Sequence, residues 1–315
     1  MLPAKKSLGQ NFLHSMGAVH AMVEASRVTK DDIVLEIGPG KGVLTEFLLK
    51  TGAQVIAVEK DDRMIPHLSE RFGGEVTSGK LKLIHGDILD MSPKDLGILA
   101  GKYKLVANIP YYITGELIQK FLETDTQPSL MTLMLQKEVA RRIVAKDAKE
   151  SILSLSVKAY GSPKYIQTVS AGSFNPVPSV DSAILLIDNI SDQFFIESNT
   201  TGQTASLPIL PFIKAVDGCQ SQTIDSVPVG GGILNPPPRV LSTSFKKGGM
   251  DSQEFFFKLI KAGFAHKRKK LIRNLETIAE KTTLENTFSA LSIAIDTRAE
   301  DLDLKQWKTL AHALK

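Results

Sequence analysis

A single cysteine, Cys219, leaves this chain of 315 residues without the means for an internal disulfide framework or a multi-cysteine metal site, a usage that suits a reducing cytosol. No uncharged apolar run reaches membrane-spanning length, and Met1 to Lys6 is followed by polar and aromatic residues rather than an apolar core with a cleavage site. The expectation is a soluble, cytoplasmic protein that does not engage a membrane. Strong charge of one sign is also missing. The 38 basic and 34 acidic residues leave a net charge of +4, so an anionic partner would have to be met by local clustering. Hydrophobic residues make up 43% of the chain, enough for a sizeable core, and the length favours two domains.

From Asp31 onward, short β-branched runs alternate with amphipathic stretches: Ile33 to Ile37, Val55 to Glu59, Leu81 to His85, Leu105 to Asn108 and Leu130 to Leu135. That rhythm predicts an α/β fold built on a parallel sheet, with Val43, Leu44, Phe47 and Leu48 on a crossover helix and Ala183 to Ile187 closing the sheet. Residues 189–250 break the rhythm with Gly230-Gly231-Gly232, Pro236-Pro237-Pro238 and Gly248-Gly249. Such a stretch reads as an insertion or linker between a catalytic domain, 1–188, and a helical domain, 251–315. In the latter, Phe256, Ile260, Phe264, Leu271 and Leu275 recur on one face, and Asp303 is placed to cap a helix carrying Trp307, Leu310, Ala311 and Leu314.

The first strand runs into Gly38-Pro39-Gly40-Lys41-Gly42, where glycines let backbone approach a ligand. Its spacing departs from the dinucleotide G-x-G-x-x-G pattern, which disfavours a nicotinamide dehydrogenase. The second strand ends at Glu59, suited to accept from two ribose hydroxyls, and the third in Gly86-Asp87-Ile88, with a carboxylate suited to an adenine amino group. Singly, each acid is matched by a solvated carboxylate or a helix cap. Together they fall at consecutive strand ends, where open α/β sheets bind ligands. The fourth strand ends in Asn108-Ile109-Pro110-Tyr111-Tyr112. The amide oxygen of Asn108 and the carbonyl of Ile109 are two acceptors for an amine, Pro110 stiffens the turn, and Tyr111 and Phe174 are aromatic faces for an extruded base.

With these motifs in hand, the chain resembles the small-subunit ribosomal RNA adenine dimethyltransferases, the KsgA-type enzymes. The resemblance is carried by Lys5-Lys6-Ser7-Leu8-Gly9-Gln10-Asn11-Phe12-Leu13, Glu36-Ile37-Gly38-Pro39-Gly40, Asn108-Ile109-Pro110-Tyr111, Leu133-Met134-Leu135-Gln136-Lys137-Glu138 and Phe174 through Ser182. It implies a Rossmann-like, seven-stranded, mostly parallel sheet with a small helical C-terminal domain. It implies that Asn11, Leu13, Gly38, Glu59, Asp87 and Asn108 bind S-adenosylmethionine, with Gly40 and Ile88 in the same motifs and the N-terminal segment folding over the cofactor. The implied reaction is dimethylation of two adjacent adenines near the 3′ end of small-subunit ribosomal RNA, on the immature subunit. The family's two domains are usually joined by a much shorter segment than 189–250, but the catalytic positions lie outside that stretch.

Lys258, Lys261, Lys267, Arg268, Lys269, Lys270 and Arg273 occupy a stretch without acids, and with Arg141, Arg142 and Lys5-Lys6 they could form a band tracking phosphates. His266 has no spaced partner, so no metal is expected. A monomer is expected. Two alternatives stay open on the sequence: a large-subunit resistance-type methyltransferase, and a non-catalytic RNA-binding assembly or transcription factor on the same fold.

Overall fold

The computed structural model describes residues 3–196 and 252–315; nearly all of the expected insertion lies outside them. In chain order the elements are β1 (Phe12–Leu13), α1 (Met16–Ser26), β2 (Ile33–Ile37), α2 (Val43–Lys50), β3 (Gln54–Glu59), α3 (Met64–Arg71), α4 (Gly73–Thr77), β4 (Leu81–His85) and β5 (Tyr103–Asn108). Then come α5 (Thr114–Glu123), β6 (Leu130–Gln136), α6 (Lys137–Ile143), α7 (Ile152–Tyr160), β7 (Ser162–Val169), β8 (Phe174–Asn175), β9 (Ser182–Asp188) and α8 (Gln193–Ile196). The C-terminal helices are α9 (Ser252–Gly263), α10 (Leu271–Leu275), α11 (Lys281–Ala290) and α12 (Leu304–Leu314).

Seven strands form one sheet in the order β4-β3-β2-β5-β6-β9-β7. The five strands from β4 to β6 are parallel, whereas β9 runs antiparallel to both of its neighbours. Helices cover both faces, which is why β2 and β6 read as near-continuous apolar runs rather than alternating ones. The expected closing strand 183–187 is therefore interior, inserted between β6 and the edge strand β7. That edge strand was not foreseen: it contains Pro163, is largely exposed, and carries a register irregularity between Tyr165 and Gln167, so its sequence lacks clean alternation.

The chain leaves β2 outward through β3 and β4, then returns to build β5 on the opposite side of β2. Strand order reverses there, and a crevice opens beyond the carboxyl ends of β2 and β5. Ile37 lies beside Ala107 in the register, so the glycine turn and the Asn108 turn leave the sheet side by side.

Phe194 and Phe195, inside the stretch that composition marks as insertion, pack with ring centroids 5.1 and 5.8 Å from Phe256, and Phe195 lies 5.3 Å from Tyr160. Phe194 and Phe195 thus form a seam with α9. The apolar residues expected on one helical face are split between two helices. Helix α9 ends at Gly263, where an added Cβ would lie 2.4 Å from the Trp307 indole. The Asn274 amide caps that end by donating to the carbonyls of Gly263 (2.6 Å) and His266 (3.2 Å). Asp303 caps α12 as expected, accepting from the Gln306 amide at 2.8 Å and burying Trp307 and Leu310 beneath. Among the described residues no helix is long and apolar enough to cross a membrane.

Candidate active site

A cavity of about 1100 Å³, part of it open to solvent, occupies the crevice. Every residue expected to hold a cofactor lines it: Asn11, Leu13, Gly38, Gly40, Glu59, Asp87, Ile88 and Asn108. So do the expected reaction-site residues Ile109, Pro110, Tyr111 and Phe174.

Gly38, Gly40 and Gly42 all adopt positive φ, which L side chains rarely tolerate. At Gly42 an added Cβ would also come within 2.5 Å of the Phe72 ring and 2.9 Å of Leu68, so this glycine permits the turn to pack on α3 and the residue that follows it. At Gly38 an added Cβ would meet nothing within 4 Å, because that position opens on the cavity.

Glu59, at the end of β3, is 5% exposed. One carboxylate oxygen accepts from the Gly40 amide at 2.9 Å and the other from the Asp61 amide at 2.8 Å. Burial pushes its carboxyl above the usual range, while those amides oppose the rise. Each oxygen retains a lone pair for a further donor. Glu36, two residues before Gly38, also lines the cavity and is buried, with Oε2 lacking a hydrogen-bond partner. Burial, reinforced by the nearby Glu59 carboxylate, pushes its carboxyl up to about 8. Asp87 accepts from the Leu89 amide at 3.0 Å and pairs with the Lys60 ammonium. Burial works against its charged form, yet Lys60 and the amide outweigh it and hold the carboxyl below its usual range.

The N-terminal segment forms one wall. Strand β1 pairs with β8, setting Leu13 opposite Phe174, and the Asn108 amide nitrogen donates to the Asn11 carbonyl at 3.3 Å. That bond leaves the Asn108 side-chain oxygen as an acceptor. The Ile109 amide is taken by the Met134 carbonyl at 3.0 Å, which pins the turn to β6. Tyr111 is half-buried with its hydroxyl 2.8 Å from Ser182 Oγ, whereas Phe174, at 2% exposure, is packed among core residues as well as lining the cavity. Among the described residues no group of three or more His, Cys, Asp or Glu is arranged to hold a metal.

The profile of the ribosomal RNA adenine dimethylases matches residues 1–199. Curated proteins called ribosomal RNA small subunit methyltransferase A are similar along nearly the whole chain. The protein from Dehalococcoides mccartyi is 36% identical over 311 residues, covering 98% of this chain and 88% of its own. Its counterpart from Lactobacillus johnsonii is 32% identical over 323 residues, covering 99% and 91%. The chain belongs to the ribosomal RNA adenine dimethylase family. The dimethylase fold is matched by solved structures too: a dimethyladenosine transferase from Plasmodium falciparum (TM-score 0.67, 22% identity, 95% of each chain) and the 23S rRNA methyltransferase ErmE (TM-score 0.66, 20% identity, 96% of this chain and 99% of that one).

The basic residues of this dimethylase that were expected to meet RNA lie away from the cavity lining. Arg141 and Arg142 are exposed on α6, Lys267 to Lys270 are exposed in the turn after α9, and Arg273 on α10 pairs with Glu276 at 3.0 Å. The loop after α6 meets the C-terminal region at Glu300. Lys149 bonds Glu300 at 2.6 Å and the Glu150 amide donates to the Glu300 carbonyl at 2.8 Å. Lys149 holds the Glu300 carboxyl below its usual range, with Lys267 adding to the effect. Lys5 does not join this band. Its ammonium pairs with Asp61 at 3.0 Å and Asp62 at 3.2 Å.

Sequence reasoning passed over Glu36, Gln10 and Asp61 as site residues. For Glu36 the available signal was an acid inside an otherwise apolar strand with no alternation to carry it outward. For Asp61 it was a second acid two residues after Glu59, just past the strand end.

Proposed function

We propose that this protein transfers methyl groups from S-adenosylmethionine to the exocyclic N6 amines of two adjacent adenines near the 3′ end of small-subunit ribosomal RNA, acting on the immature subunit in the cytoplasm. One observation carries the reading: the Asn108–Tyr111 turn and the glycine turn line the same cavity at the reversal point of the sheet. The cavity fits the cofactor. Gly38 opens backbone onto ligand space, Glu36 Oε2 is an unpartnered buried acceptor, and Glu59 and Asp87 stand at neighbouring strand ends. In this reading Asn11, Leu13, Gly38, Gly40, Glu59, Asp87, Ile88 and Asn108 hold it.

When bound, the cofactor supplies a methyl group already activated on a sulfonium. An adenine amine is a poor nucleophile because its lone pair is delocalised into the ring. The Asn108 amide oxygen and the Ile109 carbonyl accept its two hydrogens and favour a tetrahedral nitrogen, with Pro110 stiffening the turn. Tyr111 and Phe174 flank the base, its amine is fixed by orientation, and no general base is required. Arg141, Arg142, Lys267, Arg268, Lys269, Lys270 and Arg273 give register on phosphates without reading bases.

Similarity of 30% identity and above to small-subunit methyltransferases, against fold-level likeness to the large-subunit enzyme, supports the small-subunit substrate. The cavity-lining Asn108, Tyr111 and Phe174 support an enzyme over a non-catalytic factor. The test is incubation with methyl-labelled S-adenosylmethionine and small subunits lacking the modification, followed by mass mapping. Label on adjacent small-subunit adenines is expected. Label confined to large-subunit RNA would select the resistance-type reading, and cofactor binding without transfer to any RNA would select the factor reading.

A further inference from the structure

Asp61 is a buried carboxylate that receives donors from two directions. From its own loop, the Arg63 guanidinium donates through Nε at 2.9 Å and a terminal nitrogen at 2.6 Å. From the N-terminal segment, Gln10 Nε2 donates at 2.8 Å and the Lys5 ammonium lies at 3.0 Å. The segment is tied further, because the Lys5 amide donates to Gln10 Oε1 at 2.7 Å and Arg63 donates to the Pro3 carbonyl at 3.3 Å. The Asp61 side chain itself is 0% exposed. Foremost through Arg63, and against burial, these donors hold its carboxyl well below the usual range.

The same residue reaches inward. Its backbone amide donates to Glu59 at 2.8 Å, and the other Glu59 oxygen takes the Gly40 amide at 2.9 Å. One run of hydrogen bonds therefore joins the N-terminal segment, Asp61, Glu59 and the glycine turn. Leu8 to Leu13, the glycine turn and Glu59 line one cavity. The Asn11–Leu13 end of the segment is fastened by β8 and by Asn108. The Pro3–Gln10 end is fastened through the Asp61 cluster.

We infer that Asp61 is a positioning residue: it fastens residues 3–10 over the cavity, couples that closure to Glu59, and thereby sets how fast the bound cofactor leaves. The inference rests on the S-adenosylmethionine reading of the site. Removing the charge would take from Lys5 and Arg63 their shared buried partner, leaving Lys5 the exposed Asp62 and Arg63 the Pro3 carbonyl. A cover opened in this way shortens residence by raising the rate of dissociation.

Asp61→Asn retains the side-chain shape and the backbone amide to Glu59 while removing the charge. Two measurements on the full chain test it: hydrogen exchange of amides 5–13 in the free protein, and dissociation of labelled S-adenosylmethionine on chase with unlabelled cofactor. Faster exchange in the segment and dissociation about 10-fold faster or more are expected. The double variant Lys5→Ala/Gln10→Ala, altered in the segment and not beside Glu59, should reproduce both effects. Combined with Asp61→Asn it should add less than the product of the two, as residues of one network do. It also carries the test if Asp61→Asn fails to fold. Unchanged exchange, or faster exchange with unchanged dissociation, would overturn the inference. Failure of the unmutated protein to bind S-adenosylmethionine would instead overturn the reading of the site, with exchange in the free protein still deciding the fastening.

Discussion

The strand-end cavity and the basic turn between α9 and α10 both hold charge, and they hold it in opposite ways. Glu36 and Glu59 in the cavity, and Asp61 next to it, are buried carboxylates, and the last two have individually identifiable donors. In the turn Lys267, Arg268, Lys269 and Lys270 all stand in water. A buried group has one environment and a large cost when that environment changes, whereas exposed like charges act through a summed field that salt screens. Single substitutions should therefore be severe and specific in the first region, and mild and salt-dependent in the second.

The largest effect is expected at the reaction end of the cavity. Asn108→Ala should lower kcat for methyl transfer by on the order of 10²-fold or more through loss of a positioned acceptor, measured by single-turnover labelling; a loss comparable to that of a lysine in the turn would erase the contrast. Next is Glu59→Ala, which should weaken S-adenosylmethionine binding by roughly 1 to 3 kcal/mol through lost charge-assisted hydrogen bonds. Calorimetry reads this directly, and unchanged affinity would remove Glu59 from the cofactor's ligands.

Glu36 sharpens the comparison through pH. Burial raises its folded-state value to about 8, so between the ordinary carboxylate range and that value the folded protein retains a proton that the unfolded chain has released. The stability associated with this group is full at acid pH and is lost as pH rises through about 8. Glu36→Gln should therefore gain on the parent in thermal melts of the free protein, by on the order of 3 kcal/mol between pH 5 and pH 8. A stability difference independent of pH would show that Glu36 is ionised throughout. The smallest effect belongs to the turn: Lys267→Ala should weaken RNA binding less than about 10-fold, uniformly across sequences, and reduce the salt slope by about 1. A large, salt-independent loss would mean that Lys267 makes a desolvated contact.

Legibility followed the same division. Strand Ile33 to Ile37 was read to the residue because a run buried on both faces declares itself in composition, and the edge strand Leu81 to His85 was read through its apolar Leu81, Leu83 and Ile84. The edge strand Ser162–Val169 was not read, since exposure on both faces removes any pattern that burial would impose. The glycine turn, Glu59, Asp87 and the Asn108 turn were read from their places at strand ends. The Lys60 partner of Asp87 and the Ser182 partner of Tyr111 were not, because each is brought in by strand pairing across 27 and 71 residues. Lys5 shows the limit most plainly: sequence grouped it with the phosphate-tracking cations, and the fold gave its charge to Asp61.

By itself the sequence determined the alternation of strands and helices, the glycine and asparagine turns, and the family, since these depend on local pattern and short-range spacing. Only the tertiary structure decided that the turns share one cavity, that Glu36 is buried with its Oε2 unpartnered, and that the N-terminal segment is fastened through Asp61. The reason is physical: burial and ion pairing are set by which distant segments meet, and strand order, unlike strand content, is a property of the packed chain.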